Sequence, residues 1–437
     1  MLQVSEAEAI ILNLVQPLDP QQDTEFVDLL TADGRILATP VTSQLDFPQW
    51  DNSAMDGYCV RYEDVQHCSA EHPAVLEIVE EITPGKEPQS TIQPGQAARI
   101  LTGALIPTGA DTVVMQEVTR REENRVFIEA TPQPQQFIRQ RGSYYQAGTQ
   151  LLPAGIKLNA PEIGVLAASQ SIQPRVYRRV RVSIISTGSE LVTPDTSLQT
   201  GQIVDSNQYA LFCLVKQAEA KAHMLGIVKD DVEAIEQAIA SAVANSDIVI
   251  SSGGVSVGDY DYIEKIIESL GGKIHFNTVA MKPGKPLTFA TFSRGDAPVE
   301  RLHDTPDNDA TDTAPIGRLS CLYFGLPGNP VSALVTYWRF VQPTIKKLSG
   351  LTSGWEPKFV KALTPQDLYS DGKRETYLWG QLSLNGEGVY EFHLASGSHS
   401  SGNLINLAQT NSLAVLPAGT TSVSKGEHVK VLQVGNF

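Results

Sequence analysis

The chain has 437 residues, more than one hydrophobic core accommodates, so about two to four domains are expected. Hydrophobic residues make up 41% and charged residues 19%, which excludes a disordered or fibrous chain. The formal net charge of −16 argues against nonspecific binding to nucleic acid or to an anionic membrane surface, while leaving room for a small anion held by a few local lysines. No apolar run reaches the roughly 20 residues of a membrane helix, and "MLQVSEAEAI" lacks the basic and apolar regions of a signal peptide. A cytoplasmic protein is expected, with no nucleic-acid or membrane partner. Cys59, Cys68, Cys213 and Cys321 have no metal-ligand spacing and read as buried free thiols.

The first predicted element is a helix in "VSEAEAIILNLVQPL", with Ser5 and Glu8 as a capping box and Ala9, Ile10, Leu12 and Leu14 as apolar surface. From about 46 to 139 short β-rich pieces alternate with Gly/Pro turns: "AVLEIVEEI", "AARIL", "DTVVMQEV" and "RVFIEA" read as strands of a small β domain. Within it, "FPQWDNSAMDGYCV" (47–60) gathers Asp51, Asn52, Ser53 and Asp56 into one loop, and Thr102 and Gly103 follow a strand. DG and DN pairs are also common in plain turns.

Residues 177–345 alternate strand and helix, which implies a mostly parallel sheet covered on both faces, a three-layer α/β/α domain. "RVSII", "AHMLGIV", "DIVIS", "LTFATF" and "LSCLYF" are its strands. The helix from 207 presents Ala210, Leu211, Leu214, Val215 and Ala218. The next is capped at Asp230 with Glu233 and buries Val232, Ile235, Ile239 and Val243. A third buries Ile263, Ile266, Ile267 and Leu270. Residues 293–318 are acidic and poor in apolar residues, and read as a mobile surface insert. After the linker "LTSGWEP", the pieces "TYLWGQL", "SLAVLPAG" and "HVKVLQV" suggest a C-terminal β domain over 346–437.

Parallel sheets bind ligands at the carboxyl ends of their strands. Four turns fall there: "STGSEL", "VKDD", "SSGGVSVGDYDY" and "LPGNPVS". Consecutive amides in a glycine turn before a helix form an anion cradle, here Ser252, Gly253, Gly254 and Ser256. In "GLPGNPVSALVTYW", Asn329 is an N-cap and Pro330 suits the first helical position, while Gly328 admits a close ligand. A well-capped helix and nothing more is the plainer reading of that turn alone. Lys282 and Lys285 in "VAMKPGKPL" form a compact cationic pair, though surface lysines are usually only solvated. Glu190, Asp230, Asp259 and Asp261 lie in strand-end turns, where carboxylates beside an anion cradle imply a hard divalent cation such as Mg²⁺. Asp230 and Asp261 are equally able to serve as helix caps.

Taken together, "DNSAMDGY", "RILTGALIPTGADTVVMQE", "STGSEL", "GQIVDSN", "SSGGVSVGDYDY", "MKPGKPL" and "GLPGNPVSA" resemble, in order and over nearly the whole chain, the molybdopterin molybdenumtransferases of the MoeA family, related to the C-terminal domain of gephyrin. The resemblance implies a discontinuous N-terminal domain (1–45 and 140–176), an inserted β domain (46–139), an α/β molybdopterin-binding domain (177–345) and a C-terminal β domain (346–437). It implies a homodimer with its active site near the subunit interface, and a transient contact with molybdopterin adenylyltransferase. The implied reaction joins molybdate to adenylylated molybdopterin with Mg²⁺, releasing AMP and molybdenum cofactor. The family's functional acids fall on Asp56, Glu190, Asp230 and Asp261, its threonine on Thr102, and its lysines on Lys282 and Lys285. The turn at Pro327, Gly328, Asn329 and Pro330, with Ser332, matches the molybdate-proximal region, and Ser398 a pocket residue of the C-terminal domain; Ser53 joins the substrate-binding set. Two positions depart: Thr278 and Trp379 stand where many members carry a lysine and an arginine, although Lys373 and Arg374 lie close to the latter. A stand-alone adenylyltransferase or nucleotide hydrolase on the same α/β module, and a non-catalytic scaffold, are the rival readings. A stand-alone adenylyltransferase has no need of "DNSAMDGY" or of a C-terminal β domain, and a scaffold has no need of the acids.

Overall fold

The computed structural model describes residues 1–253, 260–293 and 319–435, without the side chains of Tyr260, Asp261, Leu319 and Ser320. The chain divides into two compact units: Met1–Thr39 with Gly155–Asn159 and Arg175–Phe437, and Pro40–Ala154 with Ala160–Pro174.

The larger unit is organised by a six-stranded sheet whose spatial order is Lys221–Val228, Arg181–Thr187, Ile248–Gly253, Leu319–Leu326, Pro286–Ser293, Lys273–Thr278. The first four strands are mutually parallel, and Pro286–Ser293 runs antiparallel to both of its neighbours. Alternate side chains go to opposite faces, as a two-residue period requires. Val182, Ile184, Ile248, Ile250, Leu322 and Phe324 join Leu211, Val215 and Val331 in one apolar cluster. Ile185, Val249, Cys321 and Tyr323 join Ile235, Ile239, Ile263 and Ile267 in another. This double burial is why these strands read as continuous apolar runs.

A second sheet of the same unit closes on itself, because Glu375–Leu384 pairs with both Tyr390–Leu394 and Ser412–Leu416. Closure removes exposed sheet edges and encloses a core that includes Leu378, Leu382, Phe392, Val429 and Val431. The two-residue strand Met281–Lys282 adds to this barrel in parallel with Glu375 and Thr376, carrying one of the two lysines there.

The smaller unit holds a six-stranded sheet in the order Thr112–Met115, Gly57–Val60, Gln96–Ile100, Ala74–Ile82, Arg125–Ile128, Thr119–Glu122. Tyr58 and Val60 point into one cluster and Cys59 into another, so both faces are covered. A Cβ on Gly57 would lie 1.9 Å from the Val114 carbonyl oxygen, so only glycine fits between these strands.

Several local expectations are corrected. The first helix, Val4–Leu14, is boxed by Gln3 and Glu6 rather than by Ser5 and Glu8, and its buried face is Val4, Ala7 and Ile11. Glu8 instead receives two hydrogen bonds from the buried Arg339, at 2.6 and 2.7 Å. The helix Val232–Asn245 is capped by Asp231, which accepts from the Ala234 amide, rather than by Asp230, and Val232 is exposed. Three cysteines are buried and free, while Cys213 is exposed. Residues 294–318 of the expected insert lie outside the described residues.

Candidate functional site

In the larger unit the carboxyl ends of Arg181–Thr187 and Ile248–Gly253 lie side by side, with Thr187 opposite Gly253. A cleft of about 630 Å³ opens there, lined among others by Ser186, Thr187, Glu190, Ser252, Gly253 and the 327–330 turn. Gly253 has φ +99°, and a Cβ on it would lie 2.1 Å from the Thr187 carbonyl oxygen. Glycine is therefore required for the two turns to close together. A Cβ on Gly328 would lie 3.5 Å from the Gly253 Cα, so the third turn also comes in at backbone distance.

The cleft floor is fixed by Asn207. Its Nδ2 donates to Ser252 Oγ at 2.7 Å and to the Gly328 carbonyl at 2.8 Å. One amide thus ties the helix Asn207–Gln217 to both ligand turns. Asp205 holds that helix start by accepting from the Gln208 amide and Nε2 at 3.2 and 3.0 Å. Ser186 Oγ and Thr187 Oγ1 are buried without a hydrogen-bond partner among the described residues, although both side chains line the cleft. A buried hydroxyl left unpaired is costly, and a bound polar ligand relieves that cost.

The carboxylates are arranged differently from one another. Glu190 lines the cleft, exposed, and its Oε2 folds back over Gly188, where a Cβ would lie 2.8 Å away. Asp230 does not line the cleft; its Oδ2 accepts from the Ser189 amide at 2.8 Å and so pins the turn that presents Glu190. Among the described residues no three His, Cys, Asp or Glu side chains gather as a metal centre. Gly254, Ser256, Asp259 and the Asp261 side chain lie outside the described residues.

A second cavity of about 370 Å³ shares Pro286 and Asn329 with the first. Its lining includes Lys282, Lys285, Ser332, Arg374, Trp379 and His399. Gly284 between the lysines has φ +106°, and a Cβ there would approach Thr336 Cγ2 to 2.6 Å. Lys282 Nζ lies 3.0 Å from Asp371 Oδ2. The Lys282 hydrogen bond, then the Lys373 amide, holds the Asp371 carboxyl below its usual range. Arg374 donates to the Met281 carbonyl at 3.2 Å and brings a third cation to the cavity where Trp379 brings none. The Trp379 and His399 rings lie 4.3 Å apart, and Trp379 Nε1 and His399 Nδ1 are both buried without partners among the described residues. Ser398 does not line the cavity; its carbonyl accepts from Asn403 and Asn406 at 3.2 and 3.0 Å, shaping the loop that places His399, Ser400 and Ser401 there.

In the smaller unit Asp56 Oδ1 accepts from the Thr102 amide at 2.7 Å and from Thr102 Oγ1 at 2.8 Å. The amide bond, then the hydroxyl bond, holds the Asp56 carboxyl below its usual range, with Arg99 adding attraction. This exposed pair is an oriented carboxylate at the head of the strand Gly57–Val60, tied to the turn that follows Gln96–Ile100. Ser53 is fully buried and its Oγ donates to the Met55 carbonyl at 2.6 Å, so it shapes the loop that carries Asp56.

Asn207, His399 and the Ser400–Ser401 pair were not among the residues singled out for the site, whereas Trp379 and Arg374 were named only through the resemblance, as a lost arginine and a nearby cation. "GQIVDSN" contained the first, but a helix-start asparagine reads as a cap. The others reach the lysines only through barrel closure.

The two cavities define an α/β domain with a strand-end cleft and, beside it, a lysine- and arginine-lined cavity that a β barrel helps to build. Comparison with known sequences gives the same class: residues 2–169 match the MoeA N-terminal region (domain I and II), 183–347 a probable molybdopterin binding domain, and 361–434 the MoeA C-terminal region (domain IV). A molybdopterin molybdenumtransferase of a Nostoc species is 61% identical over 434 residues, covering 99% of this chain and 94% of that one. That of Haemophilus influenzae is 33% identical, covering 99% and 98%. A crystal structure of a molybdopterin biosynthesis MoeA protein from Pyrococcus horikosii superimposes with a TM-score of 0.79 at 26% identity, covering 100% of both chains. The chain belongs to the MoeA family, the molybdopterin molybdenumtransferases, and is an enzyme of molybdenum cofactor biosynthesis. No helix among its described residues is long and apolar enough to cross a membrane.

Proposed function

We propose that this enzyme inserts molybdate into adenylylated molybdopterin, in a Mg²⁺-dependent reaction that releases AMP and molybdenum cofactor. One observation carries this reading: a cleft with unpaired buried hydroxyls adjoins a cavity with three cations, the two sharing Pro286 and Asn329. A phosphate ester and a separate oxyanion are thereby given neighbouring places.

The 186–190 and 252–253 turns, with Gly254 and Ser256, take the phosphates. Lys282, Lys285 and Arg374 take molybdate, with the 327–330 turn and Ser332 shaping its place and Ser398 shaping the loop opposite. Two anions about 4 Å apart repel by ~4 kcal/mol at an effective dielectric of 20, and the cations offset this. The Glu190 carboxylate fits Mg²⁺, which takes one or two carboxylates and completes its shell with phosphate oxygens and water. Asp261 would supply the second carboxylate, and Asp230 sets the turn. Bound there, Mg²⁺ would neutralise phosphate charge. Asp56, kept ionised by Thr102, reaches across the homodimer to orient the water or molybdate oxygen that attacks the adenylyl phosphorus. That attack breaks the bond to the bridging oxygen, which stays with the pterin phosphate while the phosphorus leaves in AMP; the two dithiolene sulfurs bond to molybdenum in place of one oxide, which leaves with their two protons as water or, where it is the attacking oxygen, in AMP with the protons passing to solvent.

The same reading makes the enzyme a cytoplasmic homodimer of four-domain subunits, with a three-layer central domain supported by the two apolar clusters on its sheet. It also includes a transient contact with the adenylyltransferase that supplies the substrate. The test is AMP release by purified protein given adenylylated molybdopterin. Release should require molybdate and Mg²⁺, and no ATP should be consumed with unadenylylated pterin. ATP consumption, or AMP release indifferent to molybdate, would overturn the reading.

A further inference from the structure

The smaller unit contains a cavity that none of these roles uses. It measures about 290 Å³ and is lined by Phe47, Trp50, Tyr144, Asn52, Arg139 and Gly103, with Pro48 and Gln49. Phe47, Trp50 and Tyr144 are 39%, 53% and 60% exposed, so three large aromatic side chains face solvent around one hollow. Exposed aromatics gathered at a concavity mark a binding surface rather than ordinary scatter.

Its polar groups narrow the ligand. Asn52 is 9% exposed, and its Nδ2 donates to the Trp50 carbonyl at 3.3 Å. Only the amide nitrogen can serve that acceptor, which leaves Oδ1 as the free end. Asn52 Oδ1 is buried with no partner among the described residues. Arg139 stands opposite Asn52 in the strand pairing, and its guanidinium makes no ion pair or hydrogen bond among the described residues. The cavity therefore offers aromatic faces, one unmet acceptor and one unmet donor group. An aliphatic ligand would leave Asn52 Oδ1 unsatisfied, and so would a phenylalanine side chain of a partner.

The geometry points to this cavity as a subsite for a planar fused-ring amino-heterocycle, stacked on Trp50 with an N–H donated to Asn52 Oδ1. This inference rests on the substrate proposed above, which carries two such rings, a pterin and an adenine. The cavity wall continues into the Asp56–Thr102 pair, because Gly103 follows Thr102 and its amide donates to the Ser53 carbonyl at 2.8 Å. A ring held there would place its substituents beside the oriented carboxylate.

The experiment titrates 6-hydroxymethylpterin and AMP separately into the full-length protein. Pterin fluorescence quenching reads the first and equilibrium dialysis the second; whichever binds identifies the ring. Trp50→Ala should weaken that binding about tenfold or more, the usual scale for losing one base-stacking aromatic. Asn52→Leu should weaken it similarly. In the Trp50→Ala enzyme KM for adenylylated molybdopterin should rise by a like factor while kcat for AMP release holds. Trp50 is exposed, so its variant folds even if the Asn52 one does not. Failure of both probes to bind, binding unchanged in Trp50→Ala, or loss of self-association in Trp50→Ala would overturn the inference, the last showing that a second copy covers the aromatics. A protein that binds pterin through Trp50 yet never releases AMP in a molybdate-dependent way would keep the subsite and refute the proposed reaction.

Discussion

Lys282 and Lys285 are three residues apart but electrostatically unequal. Lys282 is paired with Asp371 at 3.0 Å, whereas Lys285 has no carboxylate partner among the described residues. Among the described residues, then, the Lys282 charge is offset by a carboxylate and the Lys285 charge is not. Lys285→Met should lower kcat by about 10²-fold, the scale of losing one preorganised group at developing charge, and by more than Lys282→Met does. Asp371→Asn should act in reverse, freeing Lys282 and lowering the KM for molybdate; a raised KM would show that Asp371 positions the lysine instead. Asp56 offers a pH readout. Its folded pKa is depressed by the Thr102 amide and then the Thr102 hydroxyl, so it stays ionised down through the ordinary carboxylate range near 4. Thr102→Val keeps the amide bond and removes the hydroxyl. The acid limb of kcat/KM should move to higher pH in that variant, and an unmoved limb would separate Asp56 from catalysis.

At the scale of elements, the three ligand turns meet because Gly253 has no side chain. Gly253→Ala would strain a positive φ and drive a Cβ into the Thr187 carbonyl. A loss of about 1–3 kcal/mol in stability is expected, measured by denaturant unfolding, together with weakened phosphate binding. Wild-type stability in that variant would mean the turns are not held as described. Much of this was legible in the sequence, because strand and helix periods mark the α/β elements and glycine-rich turns mark their carboxyl ends. Adjacent acids were not separable by pattern. Asp230 and Asp231 are both competent caps, and only the contacts tell them apart: the Ala234 amide donates to Asp231, which caps the helix, and the Ser189 amide to Asp230, which holds a turn. The first helix misled similarly, since apolar residues nearly encircle it and the buried stripe is decided by its neighbours. The barrel's share of the lysine cavity was beyond any local pattern. Arg374 lies about ninety residues from Lys282, and the pairing of Lys282 with Thr376 brings them together.

Across the larger unit, distant segments are tied by charge as well as by the core. Arg178 donates to Asp247 at 2.6 and 2.9 Å and to Asp23 at 3.0 Å, and the Arg181 amide adds a bond of 2.7 Å to Asp247. Burial pushes the Asp247 carboxyl up, but the Arg178 hydrogen bonds and charge outweigh it and leave the pKa lowered. A carboxylate with a depressed folded pKa contributes stability above its unfolded value near 3.9, and that contribution fades as pH falls through the folded value. Thermal unfolding followed from pH 7 downward should therefore show stability falling below about pH 4, with a flatter profile in Asp247→Asn. An equal slope in that variant would assign the acid lability to other groups.

The central claim is that the lysine cavity and the strand-end cleft form one active site, with the oxyanion in the former and the phosphate in the latter. Crystals of the full chain grown with AMP and molybdate, read by molybdenum anomalous scattering, test it most directly. The expected result is an anomalous peak that places the molybdate oxygens within hydrogen-bond reach of Lys285 and Arg374, with the AMP phosphate against Ser186, Thr187 and Gly253. A molybdenum peak on any other surface, or phosphate density remote from that cleft, would contradict it.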